Sequence, residues 1–340
     1  MSLITPIRSF ASGTADSLPA CRRGRQDEAV PRHQRVGVTL GGRCQAMSTA
    51  LCYFSGTGNC LAVARELASL TGAAVVPVPE ALKEPDRIES FDAVGIVFPV
   101  YLAPLSGVPL IIERFIRSIP EIASRRLFAV CTCGGYVIFN AVPALRSLAR
   151  YVRSVGGRLS AEYPLRLPMN NLDYDHIPVP IERDSEVIIS RSRAHVAEIA
   201  RRIETRRRGE RHALRALVNF VFAPMRYAMR GPVMRALRGY ARVDGKAGRD
   251  LTYRELMPLT DRSIVVDESC VKCGTCVMVC PANNIRMTSD GPSYQGRCEV
   301  CFACDEWCPH GSIHHWSRAR GVKYHHPSVK LTDMYSSRYQ

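Results

Sequence analysis

Eight of the chain's fourteen cysteines fall between Cys270 and Cys308, and their spacing constrains the fold more than any other feature. The first run is Cys270, Cys273, Cys276 and Cys280 followed by Pro281; the second is Cys298, Cys301, Cys304 and Cys308 followed by Pro309. Both read C-x2-C-x2-C-x3-C-P, and the pattern returns after 28 residues. Ile285 and Ile313 each stand five residues past the last cysteine of their run, which predicts two related units folded over one small core. Cysteines at i, i+3 and i+6 wrap one corner as the chain turns, whereas an iron cubane needs four thiolates, so the fourth comes from elsewhere. Zinc usually takes two separated C-x2-C pairs, and disulfides are disfavoured in a reducing compartment. Two such runs in tandem favour iron. In the two-cluster arrangement with this spacing, the fourth cysteine of each run ligates the other cluster. Cluster one is then expected on Cys270, Cys273, Cys276 and Cys308, and cluster two on Cys298, Cys301, Cys304 and Cys280.

Over about residues 261–318 these motifs resemble the two-cluster bacterial-type ferredoxins. The resemblance implies two 4Fe-4S clusters that carry single electrons at low potential. From Asp261 to Ser312 four basic side chains face seven acidic ones, whereas the whole chain carries a net charge of +15. The positive charge sits instead between Arg201 and Asp250, where 14 Arg and Lys meet only 4 acids. Trp307, next to Cys308, is expected to shield a cluster.

At 340 residues the chain has room for a second domain. From 47 to 203 short apolar runs alternate with helical periods, the signature of βαβ units and a mostly parallel sheet. Strands are expected at 50–54, 74–78, 91–98, 127–131 and 158–167, and helices at 61–70, 110–119, 141–155 and 185–206, with Gly72 ending the first. Ser55, Gly56, Thr57, Gly58, Asn59 and Cys60 lie directly between the first strand and its helix, where free N–H groups and the helix dipole favour an anion. The loop lacks the Lys-Ser/Thr of a Walker A, and Leu61 replaces the third glycine of the dinucleotide fingerprint. With strand order 2-1-3-4-5 the loops after the first and third strands meet at one cleft. Flavin mononucleotide (FMN) suits such a cleft, with Pro99 and Tyr101 from the second loop, Tyr101 stacking on the ring, and Gly134 and Gly135 giving it a close backbone. Cys131 and Cys133 read as small buried thiols.

This half resembles the flavodoxins, whose phosphate loop has the form Thr/Ser-x-Thr-Gly-x-Thr/Ser; here the last position is Cys60, a weaker donor. Over about residues 48–335 the chain is similar to the EFR-type ferredoxins. Phe54 to Asn59, the Pro99-Val100-Tyr101 loop, Pro168-Met169-Asn170, both cysteine runs, Asn284-Ile285 and Tyr324-His325-His326-Pro327 carry that likeness. It implies a flavodoxin-like five-stranded α/β domain followed by a small α+β two-cluster ferredoxin domain, hence an electron-transfer flavoprotein with unidentified redox partners. The alternative is an electron carrier whose first domain binds no flavin and serves only for docking. No catalytic triad or carboxylate pair emerges, so any substrate conversion would use the flavin directly or an external enzyme.

The remaining segments are expected as follows. Residues 1–46 form a disordered extension, or else a basic targeting peptide despite Asp16, Asp27 and Glu28. Residues 204–260 form a basic amphipathic connector, with Leu214, Leu217, Val218, Val221 and Phe222 at helical spacing and breaks at Pro224 and at Gly231-Pro232. It packs on a neighbouring domain or touches a membrane surface over 201–250; specific nucleic-acid binding is not expected. Residues 319–340 form a tail, its His325-His326 segment a strand packed on the ferredoxin half. Absent a span of about 18 apolar residues or a secretory signal, the expected compartment is the cytoplasm.

Overall fold

A computed structural model of the chain describes residues 48–169, 184–206, 220–243, 250–315 and 323–335. The expected extension 1–46, Asn170 and the connector positions 214–218 lie outside the described residues. Five parallel strands, β1 (Thr49–Tyr53), β2 (Ala74–Pro77), β3 (Ala93–Pro99), β4 (Arg126–Cys133) and β5 (Leu159–Arg166), form one sheet in the order β2-β1-β3-β4-β5. This is the flavodoxin-like topology expected from the sequence. The crossovers are α1 (Asn59–Thr71), α2 (Val78–Lys83), α3 (Leu110–Ser118) and α4 (Ala141–Ser154), and α5 (Ser185–Glu204) closes the layer over α1. The short α2, which starts on Val78-Pro79, was not expected; proline in a first helical turn loses no bond the helix would have made.

Because side chains alternate along a strand, the central strands feed two cores. Val94, Ile96 and Phe98 of β3 and Leu127, Ala129 and Cys131 of β4 join α3 and α4 on one face. Val97, Phe128 and Val130 join α1 and α5 on the other. Phe128 would collide with a side chain at Gly95, whose added Cβ would lie 2.4 Å from the ring. Gly72 ends α1 at φ 69°, the left-handed cap expected of it.

The cysteine-rich part has two small antiparallel pairs, β6 (Val265–Val266) with β9 (Ile313–His314), and β7 (Ile285–Thr288) with β8 (Gly291–Tyr294). Ile285 and Ile313 meet with Cys276, Cys280 and Cys308 in one core, as the repeat predicts. Val279, Cys301, Ala303, Trp307 and Val329 belong instead to the core on the α3–α4 face of the large sheet. The two halves therefore share a hydrophobic core.

Two local expectations fail. Helix α6 (Ala223–Tyr240) runs through Gly231-Pro232, where a break was expected. Interior proline costs about 3 kcal/mol, but burial of Leu237 and Ala241 against Leu256 anchors the helix beyond it, while Pro224 sits harmlessly in the first turn. The described part of the tail, His325-His326 included, holds no strand; it runs irregularly from Lys323 to a 3-10 turn at Leu331–Met334. Arg65 pairs with Asp333 in that turn through two bonds of 2.9 and 3.0 Å, holding the Asp333 carboxyl down to about 2. Among the described residues no helix is long and apolar enough to cross a membrane.

Candidate functional site

β1 ends at Tyr53 and α1 begins at Asn59, so the intervening loop lies at the carboxyl edge of the sheet, beside the chain reversal between β1 and β3. Gly58 caps α1 at φ 93° without a side-chain hydrogen bond, which leaves the first amides of α1 to other acceptors. Its own N–H donates to the Ser55 hydroxyl at 3.1 Å. A Cβ at Gly58 would also stand 2.9 Å from Val329 of the tail, so conformation and space both require glycine.

A cavity of about 380 Å³ opens at this edge, within the range of small-ligand sites. Ser55, Gly56, Thr57, Asn59 and Cys60 line it from the first loop, Pro99 and Tyr101 from the second, Gly134 and Gly135 from the third. Of the ten expected cofactor positions only Gly58 is not in the wall. Among the described residues no Lys or Arg lines this cavity, so an anion held by them would rest on N–H groups, hydroxyls and the dipole of α1. Burial pushes the Cys60 thiol up to about 12, and its sulfur lies 3.2 Å from the Thr132 hydroxyl, so the thiol is neutral. Asn59 is fixed at both ends: its amide donates to the Pro168 carbonyl at 3.0 Å and its oxygen accepts from the Tyr324 hydroxyl at 2.7 Å. Gly134 is small for a reason the sequence did not suggest, since a Cβ would stand 2.3 Å from that of Met169.

The cysteine ligand positions fall into two groups. Burial pushes the Cys276 thiol up to about 12, opposed by the Val277 amide and reinforced by Cys308, Cys273 and Cys270. Burial likewise pushes Cys304 well above its ordinary value, and the charges that add most are those of Cys301, Cys298 and Cys280. The charges of Cys308 and Cys280 thus each act on cysteines of the opposite run. At Cys308 burial pushes the thiol up, but the Ser312 hydroxyl and amide, the His310 amide and the Lys323 ammonium together pull it below its ordinary value. Backbone amides reach two further sulfurs, Asn284 to Cys280 at 3.2 Å and Val300 to Cys298 at 3.3 Å, the kind of bond that tunes a cluster. Among the described residues no three or more His, Cys, Asp or Glu converge as a bound metal ion would need.

Sequence reasoning missed how the second run meets the cavity. Val300 and Phe302, on either side of Cys301, are buried and line the cavity together with the phosphate loop. Both have left-handed backbone, at φ 55° and 61°, strained for a β-branched and a bulky residue. The corresponding positions of the first run are Lys272, at φ 59°, and Gly274, at φ 82°. The duplicated backbone is the same; only the second copy carries apolar side chains there. That asymmetry is the signal in the sequence that marks which run faces the other half.

Further contacts of the ferredoxin half and the tail lock the halves. The Trp307 indole N–H donates to the Gly56 carbonyl at 2.9 Å, so this tryptophan clamps the phosphate loop as well as flanking Cys308. His325 stacks on the Trp307 ring at 3.8 Å, and the His326 amide donates to the Thr57 carbonyl at 3.0 Å. Glu299 is 2 % exposed; its carboxylate accepts from the Ile111 amide in the first turn of α3 at 2.9 Å and from Arg114 at 2.5 Å. Burial raises this carboxyl, with Arg114 the leading opposing influence. Glu299→Ala is expected to lower stability by about 1–3 kcal/mol through loss of a helix cap and an orphaned amide. Thermal unfolding of the intact chain checks this, and an unchanged midpoint would refute it.

Residues 264–286, which contain the first cysteine run, match the family described as the 4Fe-4S binding domain. No curated protein matches the chain. Among solved structures it is similar to a flavodoxin of Fusobacterium nucleatum bound to flavin mononucleotide (13 % identity, 47 % of this chain and 98 % of that one, TM-score 0.32). It is also similar to oxidised Flavodoxin 2 of Bacillus cereus (12 %, 45 % and 94 %, TM-score 0.32) and to the Trp repressor binding protein of Bacillus subtilis (11 %, 44 % and 96 %, TM-score 0.33). Scores this low carry no functional weight, and the topology rests on the strand order itself. The chain joins a flavodoxin-like sheet to a 4Fe-4S binding domain.

Proposed function

We propose that the protein is an electron-transfer iron–sulfur flavoprotein of the EFR type. It would hold FMN in the cavity at the end of β1 and β3, and two 4Fe-4S clusters on the crossed cysteine sets. The observation that carries this is the shared wall: Val300 and Phe302 of the second run line the cavity that the phosphate loop and the Tyr101 loop enclose, and Cys301 between them lies against Gly56. When bound, FMN exchanges either one or two electrons, whereas each cluster passes them singly.

The chain's own residues define an order. Cys301 lies against the phosphate loop at Gly56, which supports a place for cluster two beside the flavin cavity. Cys280, from the first run, belongs with that set, so both runs hold the same small core together. The set of cluster one reaches the surface, since Cys273 is exposed and Val271 beside it is 59 % exposed. That face is where a redox partner protein would dock. Tyr101 stays a neutral donor because burial, then Cys301 and Cys60, push its phenol well above its ordinary value. Thiolate ligands of this kind require reducing conditions such as those of the cytoplasm.

Anaerobic photoreduction of the flavin tests the reading. Cluster absorbance is expected to bleach at a rate independent of protein concentration. A reduced flavin beside unchanged clusters would contradict it, and a chain that releases no flavin on denaturation would leave only the docking role.

A further inference from the structure

A second concavity, of about 580 Å³, lies on the other side of the Ala103-Pro104 segment, which lines both cavities. Arg146, Arg150 and Arg153 stand at i, i+4 and i+7 on one face of α4, and Arg226 and Arg230 at i, i+4 on α6; all five line this space. Among the described residues Glu162 is the sole acid in the wall. Like charges at this spacing oppose one another on a helix, and here two such stripes from distant parts of the chain face a common hollow. Burial, and then the fields of Arg146 and Arg150, lower the Arg226 guanidinium. The arginines of α4 and α6 are thus close enough for Arg146 and Arg150 to act on Arg226. Tyr227, 77 % exposed, stands beside the same hollow and offers an aromatic face.

We infer that this hollow binds a phosphate-bearing small molecule of the nucleoside diphosphate class, with its phosphates on the arginines of α4 and α6 and its base against Tyr227. Guanidinium forks match phosphate oxygens, and a planar base suits an aromatic face. A concave site favours a compact ligand over an extended polyanion or a lipid surface. The binding site stands on the arginines alone. Its use as a substrate site rests on the flavin reading, because a ligand seated here reaches the flavin cavity only past Ala103 and Pro104.

Titration calorimetry of the purified full-length protein with ADP at low ionic strength tests the inference, alongside vesicles of phosphatidylserine and a single-stranded RNA. Saturable ADP binding, displaced by pyrophosphate, is expected. The double variant Arg150→Gln/Arg226→Gln should weaken it on the order of tenfold or more. Neither side chain lines the flavin cavity, so flavin content should not change. Absence of ADP binding, or equal affinity in the folded double variant, overturns the site. So does binding of vesicles or RNA that the variant abolishes while ADP fails to bind. A chain without flavin that still binds ADP through these arginines keeps the site and loses the electron-transfer reading; a flavin-bearing chain indifferent to ADP does the reverse.

Discussion

Alanine at Gly56 is expected to slow electron exchange between flavin and clusters severalfold while both halves remain folded. The added Cβ would lie 2.0 Å from the Cys301 carbonyl oxygen and 3.0 Å from its carbonyl carbon, both backbone atoms that cannot rotate away. Either the phosphate loop or the second cysteine run must move. The Trp307 bond to the Gly56 carbonyl and the His326 bond to the Thr57 carbonyl oppose such a move. Overpacking of this kind costs about 1–3 kcal/mol. Stopped-flow reduction should show slower bleaching of the clusters after flavin reduction, with iron and flavin content retained. Wild-type rates in Gly56→Ala would mean that the contact does not set the path. Gly274→Ala is the control: its left-handed backbone makes the change strained too, but no atom stands within 4 Å of the added Cβ.

Cys280→Ser is expected to remove the cluster beside the flavin, although Cys280 belongs to the first run by sequence. Its charge acts on Cys298, Cys301 and Cys304, all of the second run. Iron should fall from about eight to about four per chain, the difference of one cubane. Cys308→Ser should cost a similar amount of iron but spare the flavin-proximal cluster, so photoreduction of the flavin still bleaches what remains. The two variants therefore differ in rapid cluster reduction more than in metal content. If Cys280→Ser keeps fast exchange and Cys308→Ser loses it, the crossed assignment is wrong. If either variant fails to fold, Asn284→Ala provides a milder probe. Asn284 donates an amide bond to the Cys280 sulfur through its backbone, and its side chain bonds Asp261 at 2.9 Å and the Arg297 amide at 2.5 Å.

What the sequence disclosed was mostly local. Strand and helix periods, the Gly72 cap and the cysteine spacing each depend on a few neighbouring residues, and their elements stand within one or two residues of expectation. What it hid was pairing at long range. Trp307 and Gly56 are 251 positions apart, Glu299 and Ile111 are 188 apart, and no periodicity reports such contacts. Pro232 misled because a local penalty was outweighed by burial of Leu237 and Ala241 one or two turns further on. Gly134 was read only as room for a ring; it lines the cavity, and its packing against Met169 was not legible. The replacement of Lys272 and Gly274 by Val300 and Phe302 was legible in principle, because two copies of one motif can be compared within a single chain.

The decisive measurement is the amount of iron, acid-labile sulfide and flavin per chain after oxygen-free purification. Two cubanes and one FMN require about eight irons, about eight sulfides and about one flavin. A preparation with one zinc and no sulfide, or with four irons at full occupancy, would contradict the proposed two-cluster wire.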